Sequence, residues 1–235
     1  FIRLKNNIDF KTLIINQSLN KSKKIKSNYF NNILVISDDY VGLSRSRNLG
    51  LKYSNSKYVL LTDDDIVLSG NFIEKINNAF KKFKNADIIT FKTQTHDYLD
   101  RKKYKIKPFK HNYFTIGSVS SIEMVIKLEN IRKKNIFYDT DFGLGSSQPT
   151  GEEFLFLKKC LDNKLQLYYV PEVLCYHDLE TSNTFLTKQL IISKGALIKT
   201  AFPSFYILLF LYFTLKHYKK SDFNFLVFYK LMLNS

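Results

Sequence analysis

Between residues 57 and 94 the chain passes from a short apolar run, KYVLL (57–61), through NFIEKINNAFKKFKN (71–85), to a second run, ADIITFKTQ (86–94). In the middle segment Phe72, Ile73, Ile76, Phe80 and Phe83 recur at helical spacing, and Asn71 with Glu74 resembles a capping pair. Strand, helix and strand in that order predict an α/β domain with a largely parallel sheet.

The flanking sequence extends the pattern. FKTLIINQS (10–18) and NNILVISDD (31–39) read as buried strands running into loops, and GLSRSRNLGLKYSNS (42–56) as a short helix with Ser44 as N-cap. Residues 97–112, basic and aromatic without a clean period, predict an exposed excursion. YFTIGSVSSIEMVIK (113–127) returns to strand-like alternation. Residues 138–163 read as a loop punctuated by Gly, Ser and Pro that opens into a helix, and LQLYYVPEVLCYHD (165–178) as a strand pair broken at Pro171.

Asp63, Asp64 and Asp65 stand at the C-terminal end of the 57–61 strand, where open α/β sheets bind their ligands. Adjacent carboxylates repel, so the triplet needs solvation or a counter-charge. Two carboxylates one residue apart suit a hard divalent cation, Mg²⁺ or Mn²⁺, which keeps waters and also binds phosphates. An acidic turn ahead of a helix is the other reading of the same residues.

A second acidic site lies in PTGEEFLF (149–156). Thr150 and Glu153 match a T-x-x-E capping box, and a carboxylate at a helix start is also held as rigidly as a general base must be. Glu152 adds like charge beside it, which the helix dipole opposes. Arg45, Arg47 and Asn48 form either a solvated face or a group that orients a diphosphate or holds a loop. His177 is a structural histidine unless the fold sets it beside Asp65, where a neutral imidazole would complete a metal shell.

Charge and hydropathy frame the partners. Thirty-six basic against 21 acidic residues give a net charge of +15, which favours an anionic partner such as a nucleotide, a nucleic acid or a membrane surface. Richness in Lys, Asn and Ile also follows from an AT-rich coding sequence. No nucleic-acid motif accompanies the charge, and the aspartates would repel phosphate unless metal-bound, so no nucleic-acid partner is expected. A hydrophobic content of 45% is ordinary for a globular chain. The two cysteines, Cys160 and Cys175, have no metal spacing and read as buried, reduced thiols. The chain starts with Phe, so an N-terminal piece is expected to be missing.

Near the end, ALIKTAFPSFYILLFLYFTLKHYKK (196–220) holds an uncharged stretch between Lys199 and Lys216. It falls short of the roughly 20 residues a membrane span needs, and Pro203 interrupts its beginning. An interfacial helix flanked by Lys and Tyr is expected; a helix packed on the core is the alternative.

GLSRSRNLGL, then YVLLTDDDIVLSGNFIEKI, then YDTDFGLGSSQPTGEEFLFL, and finally YYVPEVLCYH together resemble glycosyltransferase family 2, with its GT-A fold, over about residues 11–178. The resemblance implies a Rossmann-like α/β fold with a mixed, mostly parallel sheet flanked by helices. With the apolar tail beyond it, this divides the chain into an expected N-terminally incomplete catalytic domain (1–185) and a helical, membrane-associating tail (186–235). It further implies inverting transfer from a nucleotide-diphosphate sugar, most often a uridine diphosphate sugar, to a saccharide or lipid-linked saccharide. TDDD would be the family's DXD motif, with Asp65 as leading metal ligand joined by Asp63, and with Asp63 and Asp64 near the ribose or sugar. GEE matches G-E-D, making Glu153 the catalytic base and Glu152 an acceptor contact. Arg47 and Asn48 match a segment lining the donor pocket, and His177 a histidine that ligates the metal in some members. The cofactor would be Mn²⁺ or Mg²⁺, and the location cytoplasmic, peripheral on the inner face of the plasma membrane.

The sequence departs from the family in two places. No counterpart of the opening strand and helix precedes residue 11, and Asn16, Gln17 and Ser18 stand where many members carry a base-reading aspartate. An inactive or truncated transferase-like protein acting only in binding is therefore the alternative expectation.

Overall fold

The computed structural model describes residues 10–17, 27–30, 32–178 and 185–235. Ser18, and with it the end of the first expected strand, lies outside the described residues.

β1 (Thr12–Gln17) and β3 (Ile33–Asp38) pair in parallel, Thr12 opposite Ile33 and Gln17 opposite Asp38. β2 (Ser27–Phe30), too short and polar to announce itself, adds antiparallel to the other edge of β3. α1 (Leu43–Tyr53) follows, but Gly42 and not Ser44 is its N-cap. Tertiary bonds replace the expected side-chain cap: the Leu43 amide donates to the Leu144 carbonyl at 2.9 Å, and Ser44, buried, donates to the Phe142 carbonyl at 2.5 Å.

The larger sheet collects β4 (Tyr58–Leu60), β5 (Val67–Leu68), β6 (Ile88–Gln94), β7 (Phe109–Lys110), β8 (Met124–Lys127) and β9 (Leu167–Tyr176). Its order is β4-β8-β6-β9-β5, with β7 also on β9. The expectation of a mostly parallel sheet is overturned. Among the described residues only β1–β3 and β6–β9 pair in parallel, and β2–β3, β4–β8, β6–β8, β5–β9 and β7–β9 are antiparallel. The helix between β4 and β6, α2 (Phe72–Lys82), does return the chain in the same direction, yet the two strands are not neighbours. β8 lies between them and runs the other way. Sequence order predicts direction; it does not predict what is later inserted.

Two further expectations are corrected locally. Most of 113–127 is not strand: 3-10 turns at Ile116–Ser118 and Ser121–Glu123 precede β8. A capping box between Ser120 and Glu123 stabilises the second turn. Nor does Pro171 break a strand pair. β9 is continuous, and the register against β6 jumps from Thr90 opposite Tyr169 to Lys92 opposite Val173. Pro171 sits in that bulge, where its missing N–H costs no ladder bond.

Alternation on β6 and β8 buries both faces of the sheet. Ile88, Met124 and Ile126 pack with Leu51 of α1, Ile131 of α3 (Leu128–Lys133), and Phe156 and Leu157 of α4 (Glu152–Asp162). Ile89, Phe91 and Val125 pack on Ile76, Ala79 and Phe80 of α2. Burying each such Ile or Phe contributes roughly 1.5–3 kcal/mol. Ile73, at the margin of the predicted face of α2, remains 41% exposed. Asn71 does occupy the N-cap of α2, although its side chain makes no capping bond. Between β1 and β4 a cavity of about 530 Å³ opens, lined by Leu13, Ile15, Val59 and Phe72, with Arg47 and Asp63 also on its wall.

The C-terminal segment forms α5 (Lys188–Ala201), α6 (Tyr206–His217) and α7 (Phe225–Leu233) around Ile191, Phe210, Phe228 and Met232. Pro203 lies in the break between α5 and α6, and a 3-10 turn follows α6. No helix of the described residues is long and apolar enough to cross a membrane.

Candidate active site

The aspartates follow β4, and the pairing of β5 with the end of β9, Val67 opposite Tyr176, carries them past His177. The His177 amide donates to the Gln94 carbonyl at 2.8 Å, fixing a ring that is only 7% exposed. Its Nε2 lies 3.0 Å from Asp65 Oδ1, while its Nδ1 is buried without a hydrogen-bond partner. Asp63 is half-buried, and Asp64 and Asp65 are exposed. Burial raises the pKa of Asp63, and Asp65 and Asp64 raise it further by like charge; Arg47 and His177 pull it back down.

α4 begins at the second acidic site. Gly151 is its N-cap, in the left-handed region at φ 105°. A Cβ there would also lie 2.8 Å from Leu197 Cδ1, so the position demands glycine both for its backbone and for the helix packed over it. The expected Thr150–Glu153 capping box does not form. Thr150 is one residue too early, and its hydroxyl accepts a hydrogen bond from Lys194 Nζ of α5 at 3.3 Å.

Glu152 and Glu153 turn to Arg47 of α1, which is 7% exposed. Arg47 Nη1 lies 3.1 Å from Glu152 Oε1 and 3.0 Å from Glu153 Oε1. Its Nη2 donates to Ser121 Oγ at 2.7 Å. Burial raises the pKa of Glu153 to about 7; Arg47 opposes that rise and the charge of Glu152 adds to it. Asn48 does not face open space. Its Nδ2 donates to the Tyr138 carbonyl at 2.9 Å, and its Oδ1 accepts from the Tyr138 amide at 2.8 Å, which anchors the loop leading to α4. Arg45 pairs with buried Asp38, Nε to Oδ2 at 2.6 Å.

The two acidic sites are therefore electrically joined. Arg47 is bound to both glutamates, and Asp63 acts on the charge of Arg47. Asp65 and His177 make one pair, and Glu152, Glu153 and Arg47 one cluster, with Asp63 linking them. Reasoning from sequence missed Ser121, Tyr138 and Lys194. Of these only Lys194 left a signal, as a lone charge within the apolar stretch LIISKGALI.

Could the site hold a divalent cation? Among the described residues no group of three or more His, Cys, Asp and Glu is spaced for one. Asp65 Oδ1 and His177 Nε2 nonetheless supply two adjacent donors. That number suits an ion whose remaining ligands are waters and substrate phosphates.

Comparison with solved proteins finds the fold in S. aureus TarS. The fragment 1–349 matches at a TM-score of 0.55 and 14% identity, covering 75% of this chain and 49% of that one. The same fragment in complex with UDP-GlcNAc matches at 0.53 and 14%, covering 73% and 51%. The shared architecture is a GT-A-like α/β fold. The profile described as "Glycosyl transferase family 2" matches residues 9–143, and the chain belongs to that family. A stretch of 69 residues is 39% identical to the minor teichoic acid biosynthesis protein GgaB of Bacillus subtilis (strain 168), covering 28% of this chain and 8% of that protein. The chain thus spans about half of the TarS fragment and a small part of GgaB.

Proposed function

We propose that the chain transfers a sugar, with inversion, from a uridine diphosphate sugar to a saccharide or lipid-linked saccharide. What carries the reading is the position of Arg47, ion-paired to both glutamates and on the wall of the same cavity as Asp63. Donor-side and acceptor-side carboxylates that answer to one buried cation belong to one site. TarS, whose fold the chain shares, is known in complex with UDP and with UDP-GlcNAc, which supports the choice of nucleotide.

In this reading Glu153 takes the proton of the acceptor hydroxyl as that oxygen attacks the anomeric carbon. The new carbon–oxygen bond forms on the face opposite the diphosphate, whose own bond to the carbon breaks. The diphosphate leaves with the electron pair. Glu152 orients the acceptor, and Arg47 holds both carboxylates at the helix start. Asp63 and Asp64 face the ribose or sugar, and Asn48 keeps the loop before α4 in register. Asp65 and His177 would hold Mn²⁺ or Mg²⁺, which when bound offsets the negative charge that develops on the departing diphosphate.

The tail adds a membrane-surface role, and residues 186–235 make a unit for it. On α6 Leu208, Leu211, Tyr212 and Leu215 are exposed at helical spacing, with Lys216, Lys219 and Lys220 exposed at its end. An apolar stripe ending in lysines suits an anionic lipid interface, where a lipid-linked acceptor would reside. This supports a peripheral position on the inner face of the plasma membrane.

The test is release of UDP from UDP-GlcNAc and other UDP-sugars, with and without lipid-linked saccharide, for wild type, Glu153→Gln and Asp65→Ala. Loss of transfer in both variants by at least about a hundredfold is expected. Full transfer in both would refute the reading.

A further inference from the structure

Two carboxylates at the start of α4 meet one guanidinium, which leaves one negative charge without a partner when both are ionised. A second cation stands close by. Lys194, on α5, donates through Nζ to Thr150 Oγ1 at 3.3 Å, two residues before Glu152. Burial lowers its pKa, and the charges of Glu152 and Glu153 both raise it, so its ammonium senses both carboxylates. Leu197, one turn further along α5, lies directly over Gly151. Phe202, just past α5, approaches Phe154 of α4 with ring centroids 6.1 Å apart. A half-buried ammonium held at the start of α4 is costly without opposite charge nearby; here the field of the two glutamates supplies it.

We infer that Lys194 is a positioning residue that the C-terminal helices lend to the transferase site, balancing the second carboxylate so that Glu153 is ionised when the acceptor arrives. The inference rests on the reading of Glu153 as the base. The charged and titratable groups facing Glu153 are Arg47 from α1, Glu152 on α4 itself, Tyr138 from the preceding loop and Lys194 from α5. Of the two cations only Lys194 comes from beyond residue 185, so the helical segment and the chemistry are coupled through one side chain.

The test needs no turnover. The full chain, labelled with ¹³C at glutamate Cδ, is titrated by NMR, with the Glu153 signal assigned from Glu153→Gln. Removing a nearby cation disfavours the carboxylate, so Lys194→Met is expected to raise the Glu153 midpoint by about one pH unit. Lys194→Arg, which keeps the charge, is expected to leave it in place. An unmoved midpoint in Lys194→Met overturns the inference, as does an equal shift in Lys194→Arg, which would assign the effect to packing. If Lys194→Met does not fold, Lys194→Gln reads the same midpoint. In an assay of UDP release from UDP-GlcNAc, the pH midpoint of kcat should follow the titration. Absence of release by the wild type would count against the base reading alone and leave the NMR outcome to decide on Lys194.

Discussion

Arg47 Nη1 and Glu153 Oε1 lie 3.0 Å apart across the junction of α1 and α4, the guanidinium buried and the carboxylate half-buried. The contact joins residues more than a hundred positions apart in sequence, and three consequences of this and the neighbouring geometry can be measured.

Removing the guanidinium strands two carboxylates. Arg47→Met is expected to lower stability by roughly 3–5 kcal/mol, the usual cost of breaking a buried ion pair from one side. Urea unfolding at pH 7.5 measures it. The penalty should shrink at pH 5, where Glu153 is protonated, and a penalty independent of pH would contradict the ion-pair account.

Because Glu153 titrates near 7 rather than at 4.5, the rate of transfer should rise with pH through about 7 as the base loses its proton. The same shift has the opposite effect on stability. A raised pKa means that the folded state holds the proton more tightly, so this contribution is fully present below 4.5 and lost as pH rises through about 7. Glu153→Gln should flatten both curves between these limits. Chemical denaturation as a function of pH reads the second.

Asp65 and His177 should act together on metal. Calorimetry with Mn²⁺ in the presence of UDP is expected to show binding weakened about tenfold or more by Asp65→Ala and by His177→Ala alike. Unchanged binding in both would remove them from the metal site.

The exposed stripe of α6 makes a prediction of its own. Flotation with anionic vesicles should capture the chain, and Leu208→Glu with Leu215→Glu should abolish capture. Replacing Lys216, Lys219 and Lys220 should weaken it by about 1 kcal/mol per charge. Equal capture by neutral vesicles would separate apolar insertion from electrostatic attraction.

Much of the fold was legible because burial imposes a period. β1, β3, β4 and β6 follow from short continuous apolar runs, and the face of α2 from helical spacing. Strand order was not legible. The run Met124–Lys127 looks the same whether it pairs at an edge or is wedged between β4 and β6. β5 and β7 span two residues each, too few to carry a period. At the site, the resemblance named Asp65, His177 and Glu153 before their distances were known. It gave no sign that Arg47 is buried against both glutamates, because that contact depends on how α1 and α4 meet. The T-x-x-E signal misled for a local reason: Gly151 takes a left-handed turn and moves the helix start one residue on.

That glycine also limits how the molecule can be rebuilt. Only a hydrogen fits beneath Leu197, so the C-terminal helices and the acidic helix are matched like key and keyway. A hybrid that exchanged one without the other would collide at residue 151 before any question of catalysis arose.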